Sequence, residues 1–189
     1  MKKSCSFTIV LFSMASILFY ACGNKHTSQQ NTSGTVTATP SDSLKVKAIQ
    51  DLTTANNQFY DALNAMFTGE LGPMDSIWSH SKDVTDMGPF GARITGWDSV
   101  NAEFKKEAGL KLGGKVICKN LLVQVGTDMG YSVCVEEGQN MSADGKHVIV
   151  SHRATNIFRL ENGKWKLVHH HTDLSPQLEK ATGTQNKEG

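Results

Sequence analysis

Residues 152–173, HRATNIFRLENGKWKLVHHHTD, contain two runs of alternating apolar and polar residues on either side of Asn162-Gly163. Asn-Gly between such runs indicates a β-hairpin, because both residues tolerate the positive φ of a tight turn. If Glu161 pairs with Lys164, counting away from the turn gives the register. One face then pairs Leu160 with Trp165, Phe158 with Leu167, Asn156 with His169, Ala154 with His171 and His152 with Asp173.

This predicted face is apolar near the turn and becomes polar and titratable away from it, which is typical of a pocket wall. The alternative is the solvated end of a hairpin that is rich in histidine. Arg153 and Thr155 lie on the opposite face in this register. A β-bulge before the turn would bring them inside, and the sequence leaves that open.

The N-terminus has the pattern of an export signal, with Lys2 and Lys3 followed by an apolar run over residues 7–19. Residues 19–23, Phe-Tyr-Ala-Cys-Gly, resemble a bacterial lipobox. The resemblance implies a signal peptide over residues 1–21, cleavage before Cys22 and a lipid on that cysteine. The expected location is the bacterial cell envelope, with the domain anchored to the membrane outside the cytoplasm. Ordinary cleavage, giving a soluble secreted protein, is the alternative.

The composition predicts one folded domain between polar ends. The chain has 189 residues and a formal charge of +1, so nucleic acid is not an expected partner. Residues 22–43 are rich in Thr, Ser, Gln and Asn and predict a flexible tether behind the lipid. The domain is expected over residues 44–176, and residues 177–189 read as a disordered tail.

Helices are expected in the first half of the domain and strands in the second. A helix is expected to begin near residues 41–44, where residues 41–43 offer capping oxygens, and its apolar stripe runs from Ile49 to Phe67. A short helix is expected over residues 73–78. A strand is expected over residues 82–87, and a capping box of Thr95 and Asp98 predicts a third helix. Four antiparallel strands follow. The fold class is therefore α+β, with N-terminal helices packed on a curved antiparallel sheet.

The two cysteines left in the mature domain are expected to be free thiols. Pairing Val125 with Tyr131 places Val133 and Val135 on the apolar face of the first long hairpin. In that register Cys118 and Cys134 are about 13 Å apart, which is too far for a disulfide.

Several segments together resemble the SnoaL-like group of the nuclear-transport-factor-two-like superfamily, which has a cone of curved sheet closed by helices. The matching pieces are FYDAL (59–63), Ile77-Trp78, Asp86 before GPFG (88–91), Gly96, Arg153-x-Thr155, and WKLVHxH (165–171). The resemblance covers residues 44–176. It implies a cystatin-like cone with a pocket, no cofactor, and a homodimer formed through the sheet.

The steroid isomerases of this superfamily suggest three catalytic positions. By resemblance, Asp86 lies near the position of the general base and Tyr60 near that of an oxyanion-stabilising tyrosine. Asn156 stands where the family has a protonated acid. The structural alternatives are a turn-capping aspartate and an interfacial core tyrosine. The predicted pocket also includes Trp78, Trp97, Phe158, His169 and His171, with Arg153 added if the hairpin has a bulge.

Three functions remain open from the sequence. The leading one is a membrane-tethered domain that binds a small, largely apolar molecule in its cone. The second is an isomerase, dehydratase or cyclase that uses Asp86 to abstract a proton. The third is an envelope assembly module that dimerises through its sheet. His169-x-His171-x-Asp173, with His152 opposite, could also bind zinc or iron, but a site without metal is favoured.

Overall fold

The computed structural model describes residues 40–89, 91–141 and 145–174. Predictions about the signal peptide, Cys22, residues 22–39 and the tail after residue 174 lie outside these residues. The described chain has three helices and six strands, in the order α1 (Pro40–Phe67), α2 (Gly72–Ile77), β1 (Thr85–Met87), β2 (Ile94–Thr95), α3 (Trp97–Leu110), β3 (Lys115–Val125), β4 (Met129–Met141), β5 (His147–Glu161) and β6 (Lys164–Leu174).

Helix α1 spans 28 residues, and its apolar stripe is buried from Leu52 to Met66. Leu52, Phe59, Ala62 and Met66 are almost fully buried. The helix begins at Pro40, so residues 40–43 of the predicted tether are helical.

Helices α2 and α3 confirm the predicted positions, but not the predicted cap. Gly96, with a φ of 85°, is the N-cap of α3, and no side chain bonds the free backbone N–H groups there. The capping box of Thr95 and Asp98 is therefore wrong, because Thr95 belongs to β2 and pairs with Thr85. Trp97, Val100 and Phe104 form the buried face of α3, as predicted.

The sheet has the strand order β2-β1-β6-β5-β4-β3 and is antiparallel except where β1 runs parallel to β6. The hairpin of β5 and β6 turns at Asn162-Gly163, with φ values of 50° and 76°. This confirms the turn that the Asn-Gly signal predicts. The predicted α+β fold is also confirmed, with α1 and α3 on the inner face of a curved sheet that does not close.

A β-bulge in β6 changes the register of this hairpin. Phe158 pairs with Leu167 as predicted, but Ile157 pairs with His169, so Val168 is an extra residue in β6. Beyond the bulge, Asn156 pairs with His170 and Thr155 with His171. The predicted pairing beyond Phe158 is therefore wrong by one residue. A slip of one residue exchanges the two faces of a strand, so His169 and His171 lie outside and His170 lies inside.

The hairpin of β3 and β4 also differs from its predicted register. Val125 pairs with Gly130, one residue earlier than expected, because Gly126 donates its N–H to the carbonyl of Met129 and tightens the turn. Tyr131, Val133 and Val135 therefore lie on the outer face of the sheet. The inner face of β4 carries small and polar residues instead: Gly130, Ser132, Cys134, Glu136 and Gly138.

Gly130 shows why the inner face of β4 must be small at this end of the strand. A Cβ atom there would lie 2.3 Å from the Leu52 side chain and 2.9 Å from the Gln124 carbonyl. Helix α1 therefore reaches the sheet only because residue 130 has no side chain. Among the described helices, none is long and apolar enough to span a membrane.

Candidate functional site

A cavity of about 610 Å³ lies between the inner face of the sheet and helices α1 and α3. Most of its wall is apolar and comes from both helices and from β3, β4 and β5. The apolar lining comprises Phe59, Leu63, Phe67, Met74, Pro89, Phe104, Leu110, Leu112, Val116, Met141, Val148 and Val150. Its size and lining are typical of a site for a small organic molecule.

The polar lining converges on the same space from five elements. It consists of Asp86 on β1, Glu103 and Glu107 on α3, Glu136 and Asn140 on β4, His152 on β5, and His170 and Thr172 on β6. No lysine or arginine is among the described residues that line the cavity. The polar part of the wall thus consists mainly of carboxyl groups and imidazoles.

Asp86 is the carboxyl at the centre of this polar group. Strand β1 places it beside His170 of β6, and the side chain is 7% exposed. Its Oδ1 atom has no hydrogen-bond partner among the described atoms. Burial, with a smaller contribution from the negative charge of Glu107, raises the pKa of Asp86 from 3.8 to about 7. The carboxyl can therefore accept or give a proton near neutral pH.

Two further carboxyls share this behaviour. Burial and the neighbouring Glu103 raise the pKa of Glu107 to about 7. Burial also raises the pKa of Glu136 to about 7, against the hydrogen bond that Tyr60 donates to it at 3.0 Å. Three carboxyls around one apolar space thus hold their protons far more tightly than in water.

His170 is buried and neutral. Burial, followed by the neighbouring histidines, lowers its pKa from 6.5 to about 3. Its Nδ1 atom lies 2.6 Å from Oδ1 of Asn156, which can only accept, so Nδ1–H is the donor. Nε2 then carries no proton and lies 3.9 Å from Oε1 of Glu136. The network therefore assigns the tautomer and turns a basic nitrogen toward the acidic part of the cavity.

Asn156 is the central residue of a buried hydrogen-bond network. Its amide group donates to Oδ1 of Asn56 at 3.0 Å, and the same oxygen accepts from the Ser132 hydroxyl at 2.7 Å. The Asn156 side chain is fully buried, and the amide meets both its donor and its acceptor needs. This fixes His170 in one orientation behind the cavity.

Tyr60 lies behind the cavity wall rather than in it. Its hydroxyl donates to Glu136 and lies 3.2 Å from the Cys134 sulfur. Burial, followed by the charge of Glu136, raises the pKa of Tyr60, so it stays a neutral donor. Its effect on a bound molecule would pass through Glu136.

The two cysteines of the domain are free, as predicted, but the geometric reason for the prediction is wrong. An extra residue in β3 near Asn120, whose φ is 55°, shifts Cys118 opposite Glu136. The thiols of Cys118 and Cys134 lie within hydrogen-bonding reach of each other. The hydrogen bond from Cys134 lowers the pKa of Cys118 to about 7.

Of the three predicted catalytic residues, Asp86 alone lines the cavity in the described part of the chain, and Tyr60 and Asn156 lie one layer behind it. Trp78, Trp97 and Phe158, which were expected in the pocket, are in the core instead. Trp78 packs against Phe104 with ring centroids 5.5 Å apart, and Phe158 is fully buried. Trp78 therefore lies behind Phe104, which lines the cavity.

The bulge in β6 puts the other predicted pocket residues on the outer face of the sheet. His169 contacts Thr85 at 2.7 Å there, and Arg153 pairs with Asp173. The bulge that was left open does exist, but it moves the two histidines outward rather than Arg153 and Thr155 inward. His152 stays inside, so His169, His171 and Asp173 do not meet it. Among the described residues, no three His, Cys, Asp or Glu side chains lie so that they could hold a metal ion together.

Sequence reasoning missed His170, Glu107 and Glu136. Glu107 had a detectable signal, since it lies three residues after Phe104 on the apolar stripe of α3. Glu136 alternates with Cys134 and Ser132 on one face of β4, where a carboxyl would be costly without a role. His170 had no such signal, because only the bulge decides which of three consecutive histidines faces inward.

A family model for the SnoaL-like domain matches residues 52–175. The chain belongs to the SnoaL-like domain family. This match covers most of the chain and nearly all of the described part. A comparison with curated proteins gives no match.

Solved structures share the fold of this SnoaL-like domain at low sequence identity. A candidate dehydratase of the NTF2-like family from Streptomyces avermitilis is 22% identical, with a TM-score of 0.60, over 69% of this chain and 97% of that one. An NTF2-like superfamily protein from Salmonella enterica is 14% identical, with a TM-score of 0.61, over 76% and 98%. The association domain of Caenorhabditis elegans CaMKII is 17% identical, with a TM-score of 0.53, over 69% and 98%.

Proposed function

We propose that this protein is a membrane-tethered SnoaL-like domain that binds a small, largely apolar molecule in the cavity between its helices and its sheet. The observation that carries the proposal is the cavity itself, with a volume of about 610 Å³ and a mostly apolar wall. Burying a molecule of that size removes apolar surface from water at about 25 cal/mol per Å². The convergent polar groups would fix its orientation.

Binding of a neutral fluorescent probe, N-phenyl-1-naphthylamine, to the full chain tests this proposal. Leu63→Trp fills the cavity from α1 at a half-buried position, and Leu122→Trp makes the same change on the exposed outer face. We expect Leu63→Trp to weaken probe binding about 10-fold or more and Leu122→Trp to leave it unchanged. Equal binding by the two variants, both with the wild-type melting temperature, would contradict the cavity as the site.

A second function is supported by Asp86, which combines an unpartnered oxygen in the cavity with a pKa near 7. A carboxyl in that state could abstract a proton beside a carbonyl group, as in isomerases and dehydratases. Glu136, which receives a hydrogen bond from Tyr60, lines the same cavity and could stabilise the developing negative charge while protonated. This enzyme would need no cofactor.

Deuterium exchange separates the enzyme from a binding protein. The wild type in D₂O should accelerate exchange of the protons beside the carbonyl of a small cyclic ketone, followed by NMR. Asp86→Asn should lower that rate by about 100-fold or more, because the amide cannot take the proton. Binding of the ketone should survive in the variant. An equal rate in both proteins would remove Asp86 from a catalytic role.

The outer face of the sheet supports a homodimer. Ile117, Leu122, Tyr131 and Ile149 are each more than 40% exposed there. The CaMKII association domain, whose fold this chain resembles, is by its name an assembly module. We expect the full chain to sediment as a dimer and the double variant Leu122→Glu, Tyr131→Glu to sediment as a monomer. A monomeric wild type would contradict this interface.

Membrane attachment through Cys22 rests on the lipobox-like residues at the end of the signal segment. The domain would then stand outside the cytoplasm in the bacterial envelope. Wild type should partition into detergent, and Cys22→Ala should stay soluble or uncleaved, because stable anchoring requires lipid on that cysteine. Equal partitioning of both forms into the aqueous phase would contradict the anchor.

A further inference from the structure

We infer that the molecule bound in the cavity carries a protonated amine on its apolar body, and that the amine is held by Asp86, Glu107 and Glu136. This inference rests on the proposed binding function and names the chemical class of its ligand. It concerns small organic cations with one charged end, rather than neutral or acidic apolar molecules.

The charged groups around the cavity support a cation. Carboxyls face the space from β1, α3 and β4, namely Asp86, Glu103, Glu107 and Glu136. The imidazoles of His152 on β5 and His170 on β6 also face it, and His170 is neutral above about pH 3. The described lining contains no lysine or arginine to balance these carboxyls. An anion entering this space would be repelled by the ionised carboxyls, whereas an ammonium group would be attracted to them.

Unpartnered oxygen atoms in the same wall give an independent indication. Thr172, which is 3% exposed, lines the cavity with an Oγ1 atom that has no hydrogen-bond partner in the described structure. Oδ1 of Asn140 and Oδ1 of Asp86, whose residues also line the cavity, likewise have no hydrogen-bond partner among the described residues. The two Oδ1 atoms can only accept unless the carboxyl of Asp86 is protonated. An ammonium group has several N–H donors and no acceptor, so it could pair with oxygen atoms of this kind.

The apolar wall explains why an amine would bind better here than a metal ion or a free ammonium ion. Phe59, Phe67 and Phe104 line the same cavity as the carboxyls and offer no coordinating atoms. A hydrated cation would leave this surface wet, whereas a hydrocarbon body covers it and excludes water. Each carboxylate then interacts with the ammonium group at a lower effective dielectric constant.

Proton release follows from the pKa values of the carboxyls. With no ligand, Asp86, Glu107 and Glu136 each have a pKa raised to about 7, so they carry protons in part near neutral pH. An ammonium group favours their ionised forms, so it lowers their pKa values and expels protons as it binds. Affinity for an amine should therefore rise between pH 5.5 and pH 8. An alcohol of the same shape should show no such rise.

Calorimetry with three probes of one shape tests the inference on the full chain. The probes are cyclohexylmethylamine, cyclohexylmethanol and cyclohexanecarboxylate. At pH 8 we expect the amine to bind about 10-fold or more tightly than the alcohol, and the carboxylate to bind least. The binding enthalpy of the amine at pH 7 should also change with the ionisation enthalpy of the buffer, because protons are released.

Two variants test whether the preference for the amine arises in the cavity. Asp86→Asn should remove most of the preference for the amine over the alcohol and reduce the number of protons released. Asp173→Asn, a carboxyl change on the outer face, should leave the preference intact. The buffer dependence of the wild type tests the same point if Asp86→Asn does not fold.

The remaining outcomes separate this inference from the proposed binding function. Equal binding of amine and alcohol, or tighter binding of the carboxylate, would overturn the amine and leave apolar binding in place. A wild type that binds none of the three probes and no fluorescent apolar probe would overturn both. Amine binding without any buffer dependence of the enthalpy would overturn the role of the three carboxyls.

Discussion

The two faces of the sheet of β3, β4, β5 and β6 use the same strands for opposite purposes. On the inner face, Ser132, Asn156 and His170 are buried polar residues whose hydrogen bonds are made inside the protein. On the outer face, Tyr131 and Ile149 are apolar residues left in contact with solvent. In a simple two-layer sheet the inner face is apolar and the outer face polar, whereas here each face carries some residues of the opposite kind.

This difference between the two faces of the sheet indicates that they have different functions. Buried polar groups cost free energy unless they are paired, so a paired set inside implies that orientation matters there. Exposed apolar side chains cost little in a monomer but favour association. The inner face is built to hold a few groups in fixed positions, and the outer face to be covered by another surface.

The largest difference between the faces is expected in the core under the cavity. Phe158→Ala removes a fully buried ring and should lower the free energy of unfolding by about 3–5 kcal/mol. Ile157→Ala, one residue away on the half-buried outer face, should cost only about 1 kcal/mol. Urea unfolding of both variants measures the difference, and equal losses would show that the outer face is covered as well as the inner one.

The polar network gives the next largest effect. Asn156→Leu keeps the volume but leaves Nδ1–H of His170 without an acceptor, so it should lower the free energy of unfolding by about 3 kcal/mol. Thr155→Val, the adjacent outer-face change, should cost less than about 1 kcal/mol. The two variants are compared by thermal and urea unfolding. A stable Asn156→Leu protein would mean that the network does not hold His170 in place.

The third effect is a pH dependence that only the inner face should show. The folded-state pKa of Asp86 is raised from 3.8 to about 7, so its proton stabilises the fold below about pH 4. That contribution is lost as the pH rises through about 7. Glu107 and Glu136 act with the same sign. The lowered pKa of His170 acts against them, because its contribution is present above pH 6.5 and lost toward pH 3.

With three carboxyls against one imidazole, the wild type should be less stable at pH 8 than at pH 5. Asp86→Asn should gain about 2 kcal/mol relative to the wild type between those two values. Asp173→Asn is the control on the outer face, where the Arg153 hydrogen bond lowers the pKa of the carboxyl. That variant should lose stability at neutral pH, and the loss should vanish in acid. Parallel pH profiles for the wild type and Asp86→Asn would contradict the raised pKa.

The smallest effect is expected at the ion pair on the outer face. Arg153 pairs with Asp173 through two hydrogen bonds, and the Arg153 side chain is 63% exposed. Pairs that are this open to solvent contribute little. Arg153→Gln should therefore change the melting temperature by less than about 2 °C in 150 mM salt. A larger loss would mean that this pair lies buried in an assembly.

The sequence predicts most of the fold because its signals are local. The Asn162-Gly163 turn, the stripe of α1 and the face of α3 each depend on residues a few positions apart. Their order and spacing also carried the family resemblance. The predicted capping box of α3 was wrong because Thr95 pairs with another strand, which is a tertiary contact.

The site was less predictable because it depends on register. Asp86 was assigned to the pocket by resemblance rather than by register, and it does line the cavity. His169 and His171 were assigned to the cavity because the alternation was counted through Val168 without a bulge. The same kind of error at Asn120 placed the thiols of Cys118 and Cys134 too far apart. A bulge is set by how the whole strand packs, and neither bulge has a local sequence signal.

The bulge at Val168 has a consequence for how tolerant this site is to error. In the observed register an imidazole, His170, lies opposite Asn156. Without the bulge, Asn156 would lie opposite His169 instead. Most strands lose their inner residues when they slip by one position. Here three consecutive histidines avoid that loss, because either alignment of β6 places an imidazole opposite Asn156.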